Sequence, residues 1–403
     1  MTQAVHRVLE HVDGEYVLEL TRRLIRVPST APPLHLREIA DVVAGELRSY
    51  GADVTVVGDS GEGWERPNVL GVVRGQAPGP TLMLAAHTDV VPAYDLSLWR
   101  HPPFEARVED GVLHGRGSAD TKSSLGAMMA ALRAFLQSGV PLAGSVVLAA
   151  WAGDEWQPPG ARWFNGLSYL ALEHGLKADA GIFGEPYDLR ICPASRGRVW
   201  FRIEVGGEAT HSATGMGINA ILGAMKVIDA VYGIKVGTHP LLGHDTINVG
   251  TIDGGVQPNI VPDHCTMTFD IRFAMPLTTA AIEQMVREAV DRLRPDPKFI
   301  LKDLVVTERR EPIEFPSDGT LVRALRRAGD AAGTPLQVGG AVSFGDIADW
   351  KDRMGLTQAC LFGPGKTAQA HAINEHIAVS DLLAAARIYA AAIVAFSELE
   401  TGP

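Results

Sequence analysis

The chain has 403 residues, 46% hydrophobic and 21% charged, the balance of a soluble globular protein too long for one compact core, so two domains are expected. A net charge of −11 and a pI near 5.6, with no run of Lys or Arg, argue against nucleic-acid binding and against attraction to anionic membranes. The N-terminal segment lacks the apolar core of a signal peptide, and no window holds eighteen uninterrupted apolar residues. Three widely spaced cysteines, Cys192, Cys265 and Cys360, form neither a disulfide framework nor a metal pair, so buried thiols in a reducing cytoplasm are expected.

In chain order, 14–28 carries apolar residues at helical spacing and stops at Pro28, and 34–50 reads as a second helix closed by Gly51. Short β-like runs follow at 52–58 and 68–75. The run 81–86 is uncharged and bounded by Gly79-Pro80, the pattern of a buried parallel strand. Residues 123–138 predict a helix with small residues for close packing, 145–153 a buried strand, 160–175 a helix and 178–186 a strand. Strands alternating with helices point to an α/β domain with a mostly parallel sheet and helices on both faces.

The texture changes near Arg196. Residues 197–310 follow the order β-α-β-β-α-β of an α+β ferredoxin-like module, inserted into the α/β domain. The α/β pattern resumes from 311, with a helix near 318–333, an apolar run at 357–363 and a last helix at 380–396. The expected domains are therefore 1–196 with 311–403, and 197–310.

The chemistry gathers at strand tips. His87 and Asp89 stand one residue apart after the run 81–86, so both point to one face at the end of a buried strand, where open α/β sheets keep their sites. Asp120 lies in a Gly-rich turn with Gly115 and Gly117. Asp154 and Glu155 follow the strand 145–153, Glu185 precedes Pro186, and His371 sits in a loop before Asn374 and Glu375. Singly, each reads as a cap, a turn residue or a surface histidine. With Asp89 set aside as the partner of His87 and one carboxylate taken from the Asp154-Glu155 pair, these places supply two imidazoles and three carboxylates as candidate ligands. That mix suits a pair of divalent cations, Zn first, with Co or Mn as alternatives. A bridging carboxylate with two flanking ligands per cation is the economical arrangement for a two-metal hydrolase.

The motifs HTDVVP (87–92), WRHPPF (99–104), GRGSADTK (115–122), GEP (184–186), THSATGMGINAI (210–221), QPNIVPD (257–263), DIR (270–272) and HAINE (371–375) resemble, as a set, the metallopeptidase family of aminoacylase-1, acetylornithine deacetylase, succinyl-diaminopimelate desuccinylase, dipeptidases and glutamate carboxypeptidases. The likeness runs from about Leu24 to Phe396. It implies a zinc-peptidase-like catalytic domain and a dimerisation module at 197–310, hence a homodimer. It implies that His87 and Glu185 bind one cation, Glu155 and His371 the other, and that Asp120 bridges them with a cis peptide bond after it. Asp89 would be the partner of His87. His211 would polarise the scissile carbonyl, and Asn259 and Arg272 would hold a substrate carboxylate, for which the planar Arg fork is suited.

Two departures stand out. The family has two consecutive glutamates where this chain has Asp154-Glu155-Trp156. Either Glu155 is the ligand and Asp154 the general base, or Glu155 is the base and Trp156 occupies a ligand position. The first is preferred, because Trp offers no metal-binding atom, and it leaves a base one methylene short. SFGDIADW (343–350) also departs from the family's segment.

The expected activity is cleavage of an amide C–N bond in an N-acyl amino acid or small peptide bearing a carboxylate, through a water activated by the metals. The alternatives are hydrolysis of an unusual C–N bond, such as an aryl amine or N-carbamoyl group, and a non-catalytic metal-binding relative. His101, His114, His239, His244, His264 and His376 are read as surface or core histidines.

Overall fold

The computed structural model describes residues 2–33, 36–61, 63–163, 165–341, 348 and 351–401. The chain forms two compact units. One comprises Met1–Pro193, Phe315–Gly339 and the region from residue 350 onward, and the other comprises Ala194–Glu314 and the described part of 340–349. The boundaries thus lie three or four residues outside the expected 197–310, and the second unit takes a further return segment.

The first unit is built on the strand Ala77–His87. Leu82, Leu84 and Ala86 join one core, while Met83 and Ala85 alternate to the other face and are also buried. An uncharged run of this kind needs cover on both sides, which is why it sits mid-sheet. It pairs in parallel with Ala143–Trp151 and with Ala180–Phe183, and Gln358–Leu361 extends the parallel set.

Other pairings of the described residues in this sheet run antiparallel. Trp64–Arg74 joins Ala143–Trp151 antiparallel, Asp53–Gly61 joins Trp64–Arg74 antiparallel, and Ile191–Ser195 meets Gln358–Leu361 antiparallel. The sheet of this α/β unit is therefore mixed, with a parallel centre and antiparallel flanks. Gly61 pairs with Trp64, and a connection that short can join only antiparallel neighbours.

The helix Lys122–Ser138 is buried almost all round and ends at Gly139, whose φ of +63° is the left-handed cap that favours glycine. It packs among Gln3–Glu10, Gly14–Arg26 and Val379–Thr401. The segment Val379–Glu400 has the length and hydropathy of a membrane span, but 67% of its apolar window is buried within the protein, as for a core helix. The helix expected at 160–175 begins only at Gly166, because Asn165 caps it through a bond from the Ser168 N–H at 2.9 Å. Arg107–Glu109, Val112–His114 and His376–Ala378 form a small antiparallel sheet that no local pattern in the sequence signals.

The second unit holds a four-stranded antiparallel sheet in the order Thr246–Gly254, His264–Phe273, Gly197–Gly206, Ile300–Arg310. Helices Ala220–Tyr232 and Thr279–Asp291 pack their apolar stripes on it through Ala224, Val227, Ile282 and Val286. The element order is β-α-β-β-α-β, with two short strands after the first helix.

Candidate active site

His87 ends its strand fully buried. Its Nδ1 lies 2.9 Å from the backbone carbonyl of Asp89, and its Nε2 faces Asp120 Oδ1 at 3.0 Å. The orienting bond on His87 is thus the carbonyl of Asp89 rather than its carboxylate, which stands 3.9 Å from Nδ1. That carboxylate is committed to the next strand tip. It accepts the N–H groups of Gly153 at 2.9 Å, Asp154 at 3.2 Å and Glu155 at 3.0 Å. Three successive N–H groups, opened by Gly153 at φ +83°, make a concave anion cradle.

Asp120 is carried by the loop between Val112–His114 and Lys122–Ser138, and the Asp120–Thr121 peptide is cis, as the family resemblance implied. Gly117 is needed there: its φ is +88°, and a Cβ would meet Val90 and the Lys122 stem. Glu375 organises the loop. It is fully buried and accepts the N–H groups of Gly117 at 3.0 Å, Ala119 at 2.7 Å and Asp120 at 2.9 Å, with Arg116 Nη1 at 2.7 Å balancing its charge. Arg116 and Glu375 lie inside the quoted motifs GRGSADTK and HAINE, but no local pattern says that they meet 259 residues apart.

Asp120 Oδ2 lies 3.5 Å from His371 Nε2, and the same Nε2 lies 2.9 Å from Glu155 Oε2. Donor atoms of His87, Asp120 and Glu155 fall within 4.8 Å of one another, as do those of His87, Asp154 and Glu185. All five candidate ligands thus gather at one end of the sheet, with Asp154 beside them. Trp156 packs against the apolar core.

Burial and the neighbouring Asp120 push the Glu155 carboxyl up to about 7. Burial and Asp120 likewise hold Glu185 well above the carboxylate range, and burial raises Asp154. The bonds from Asp120 and Glu155 push His371 up to about 10. For His87, burial opposes the charge, but the fields of Asp154, Asp120 and Glu185 outweigh it and raise the imidazole. Asp120 itself is held low, because its bonds to His371 and His87 overcome its burial. Carboxylates crowded together in a buried pocket call for positive charge. Glu155 Oε1 is buried without a hydrogen-bond partner, so the donor set has an open valence that a cation fits.

His211, Asn259 and Arg272 belong to the second unit. His211 pairs with Ile260, and the Ser212 N–H donates to the Asn259 carbonyl at 3.0 Å, so these two residues stand on neighbouring loops. Arg272 lies on the strand His264–Phe273, where its Nε donates to Asp270 at 2.8 Å. The departing segment SFGDIADW falls outside the described residues, except for Ala348.

The sequence profile of peptidase family M20/M25/M40 matches residues 83–395. The chain belongs to this family. Over 363 residues it is 30% identical to a succinyl-diaminopimelate desuccinylase of Alkalilimnicola ehrlichii, covering 86% of this chain and 91% of that one. The fold is similar to that of the aminopeptidase PepT from Bacillus cereus, with a TM-score of 0.78 and 20% identity over 96% of this chain and 99% of that one. It is also similar to the Bacillus subtilis YXEP protein, described as a dinuclear metal-binding peptidase, with a TM-score of 0.71 and 15% identity over 96% and 98% of the two chains. As a member of the M20/M25/M40 family the protein is a metal-dependent hydrolase of amide bonds.

Proposed function

We propose that the protein cleaves the amide bond of an N-acyl amino acid or short peptide that carries a free carboxylate. The observation that carries this reading is the single carboxylate of Asp120 set between two imidazoles, 3.0 Å from His87 Nε2 and 3.5 Å from His371 Nε2. In this reading His87 and Glu185 hold one divalent cation, Glu155 and His371 hold a second, and Asp120 serves both. Zn is the first choice, with Co or Mn as alternatives. Cations bound there lower the pKa of water and polarise a carbonyl oxygen.

Asp154 takes the proton from the attacking water and returns it to the leaving amine. Its raised carboxyl is suited to holding that proton between the two steps. Asp89 sets the position of this base by gripping the backbone of Gly153, Asp154 and Glu155. His211 polarises the scissile carbonyl, and Asn259 and Arg272 orient the substrate through its carboxylate. The relative named as a desuccinylase supports an acyl group on the amine side.

One observation favours a second reading. One donor atom each of Asp154, His87 and Glu185 lies within 4.8 Å of the others, and on this second reading Asp154 is a third ligand of the first cation, with an altered C–N substrate and another base.

The test is cation content per chain together with amine release from N-acyl amino acids, dipeptides, aryl amides and N-carbamoyl compounds. The proposal expects two cations at this site and turnover of the first two classes. Asp154→Asn should keep both cations and lose 10²- to 10⁴-fold in kcat; loss of a cation from this variant would establish the second reading. Glu155→Gln should lose a cation and turnover together.

We also read the second unit as the interface of a homodimer. Its helix Ala220–Tyr232 exposes Leu222, Met225 and Tyr232. Light scattering at micromolar concentration tests this. The free, buried Cys192, Cys265 and Cys360 support a reducing, cytoplasmic setting.

A further inference from the structure

A second group of histidines stands apart from the five ligands above. In the small antiparallel sheet of the first unit, His114 is the register partner of Arg107 on one side and of His376 on the other, and Glu109 is the partner of Val112. Alternation therefore puts Glu109, His114 and His376 on one face, while Val108, Leu113 and Ile377 point to the core on the other. His101 comes over that face from the preceding loop. Its ring centroid is 4.9 Å from that of His114, which is 5.6 Å from that of His376.

From this juxtaposition we propose that His101, Glu109 and His114 bind a transition-metal cation of the Zn²⁺ class, at a site separate from the catalytic pair. One donor atom from each of the three residues falls within 4.8 Å of the others. His101 Nε2 is 3.4 Å from Glu109 Oε2. A tetrahedral cation with bonds of ~2.0–2.1 Å spaces its donors by ~3.3 Å, so this edge of the site is already at ligating distance. His101 Nε2 is also buried with no hydrogen-bond partner, the state of a donor atom with an open valence. Burial and the neighbouring His101 and His376 hold His114 below the ordinary imidazole range, leaving a lone pair free near neutrality.

Two imidazoles and a carboxylate form a donor set that Zn²⁺, Co²⁺, Ni²⁺ and Cu²⁺ accept, and which Mg²⁺ and Ca²⁺ do not favour. Arg100 also pairs with Glu109 Oε2, at 2.5 Å, but its side chain is 66% exposed and such a surface pair is weak enough to yield. The His376 Nδ1–H donates to the Asn374 carbonyl at 2.8 Å, which fixes its ring beside the site. The position has a consequence. His114 leads directly into the loop of Asp120, and His376 follows Glu375 in the segment that bears His371. A cation held by His114 would tie the root of the Asp120 loop to the segment of His101 and Glu109, with His376 beside it.

The experiment compares the full-length protein with His101→Asn and, separately, Glu109→Gln. Both changes lie off the central strand of the small sheet. After stripping with chelator, each protein is dialysed to equilibrium against Zn²⁺ and its metal content measured. The wild type should bind one equivalent per chain more than either variant. The comparison is repeated in an Asp120→Ala background, so that the difference is read independently of the catalytic cations. There, Zn²⁺ should still raise the Tm, and His101→Asn should diminish that rise. Equal Zn²⁺ content in wild type and both variants, or a Tm response unchanged by His101→Asn, would overturn the site while leaving the catalytic reading untouched.

Discussion

Asp89 Oδ2 accepts the backbone N–H of Glu155 at 3.0 Å, so one strand tip holds the other through its main chain. Because Oδ1 takes Gly153 and Asp154, the whole 153–155 turn hangs on one carboxylate. Asp89→Ala should leave these buried N–H groups without their acceptor and lower kcat by about 10- to 100-fold, the range for losing a group that positions a metal ligand. Asp89→Asn, which keeps one acceptor oxygen, should lose less. Equal losses in the two variants would show that acceptor geometry at the turn is not what matters.

The Arg116–Glu375 pair predicts a stability effect. Both side chains are buried, with Arg116 Nη1 2.7 Å from Glu375 Oε2. Arg116 also faces the ring of Trp99 at 5.2 Å. Glu375→Ala strands a buried guanidinium and three backbone N–H groups, so a loss of about 3–5 kcal/mol is expected. Urea unfolding of metal-free protein measures it directly. A change under 1 kcal/mol would mean that the loop reorganises around the missing carboxylate.

Cation loading should release protons. With His371 pushed up to about 10 and Glu155 to about 7, the metal-free site at pH 7 holds a proton on His371 and roughly half of one on Glu155. A ligand must be deprotonated to coordinate, so at least one proton leaves per chain and apparent affinity rises with pH below about 10. Titration calorimetry at pH 7 in two buffers of different ionisation enthalpy gives the number. Identical heats in both would contradict this.

Lys122 gives a pH dependence of the opposite kind to a salt bridge. It is fully buried, its Nζ donates to the Val27 carbonyl at 2.7 Å, and burial pulls it down to about 7. In the unfolded chain it titrates near ~10.4. Between those values the unfolded state binds more protons, so stability rises with pH there, by at most about 1.4 kcal/mol per unit, and the gain is lost as pH falls toward 7. Lys122→Met removes that slope. The stability difference between variant and wild type should therefore shift in favour of wild type from pH 7 to pH 9.5.

Local pattern made much of this molecule legible. The run Leu82–Ala86 could be assigned because an uncharged stretch has no solvent face, and His87 and Asp89 because period-two alternation carries both to its tip. The helix Lys122–Ser138 was marked by its small and apolar residues and its glycine stop. The runs at 52–58 and 68–75 are legible as strands, but their antiparallel pairing is not, because strand direction is a property of pairing and not of composition. The nearness of His114 and His376 is hidden for the same reason: 262 residues separate them, and only their register in the small sheet makes them neighbours.

The sequence by itself determined which residue types were available at the strand tips and in the loops beside them: His87, Asp120, Glu155, Glu185 and His371, with Asp154 as the departure from the family pair. Side-chain chemistry and local periodicity are written residue by residue, so these were readable. Tertiary structure alone decided how those groups are held. It assigned the Asp89 carboxylate to three backbone N–H groups and its carbonyl to His87, and it brought Glu375 under the Asp120 loop. Buried carboxylates take whichever donors the folded chain leaves unsatisfied, and which donors those are depends on contacts between segments far apart in sequence.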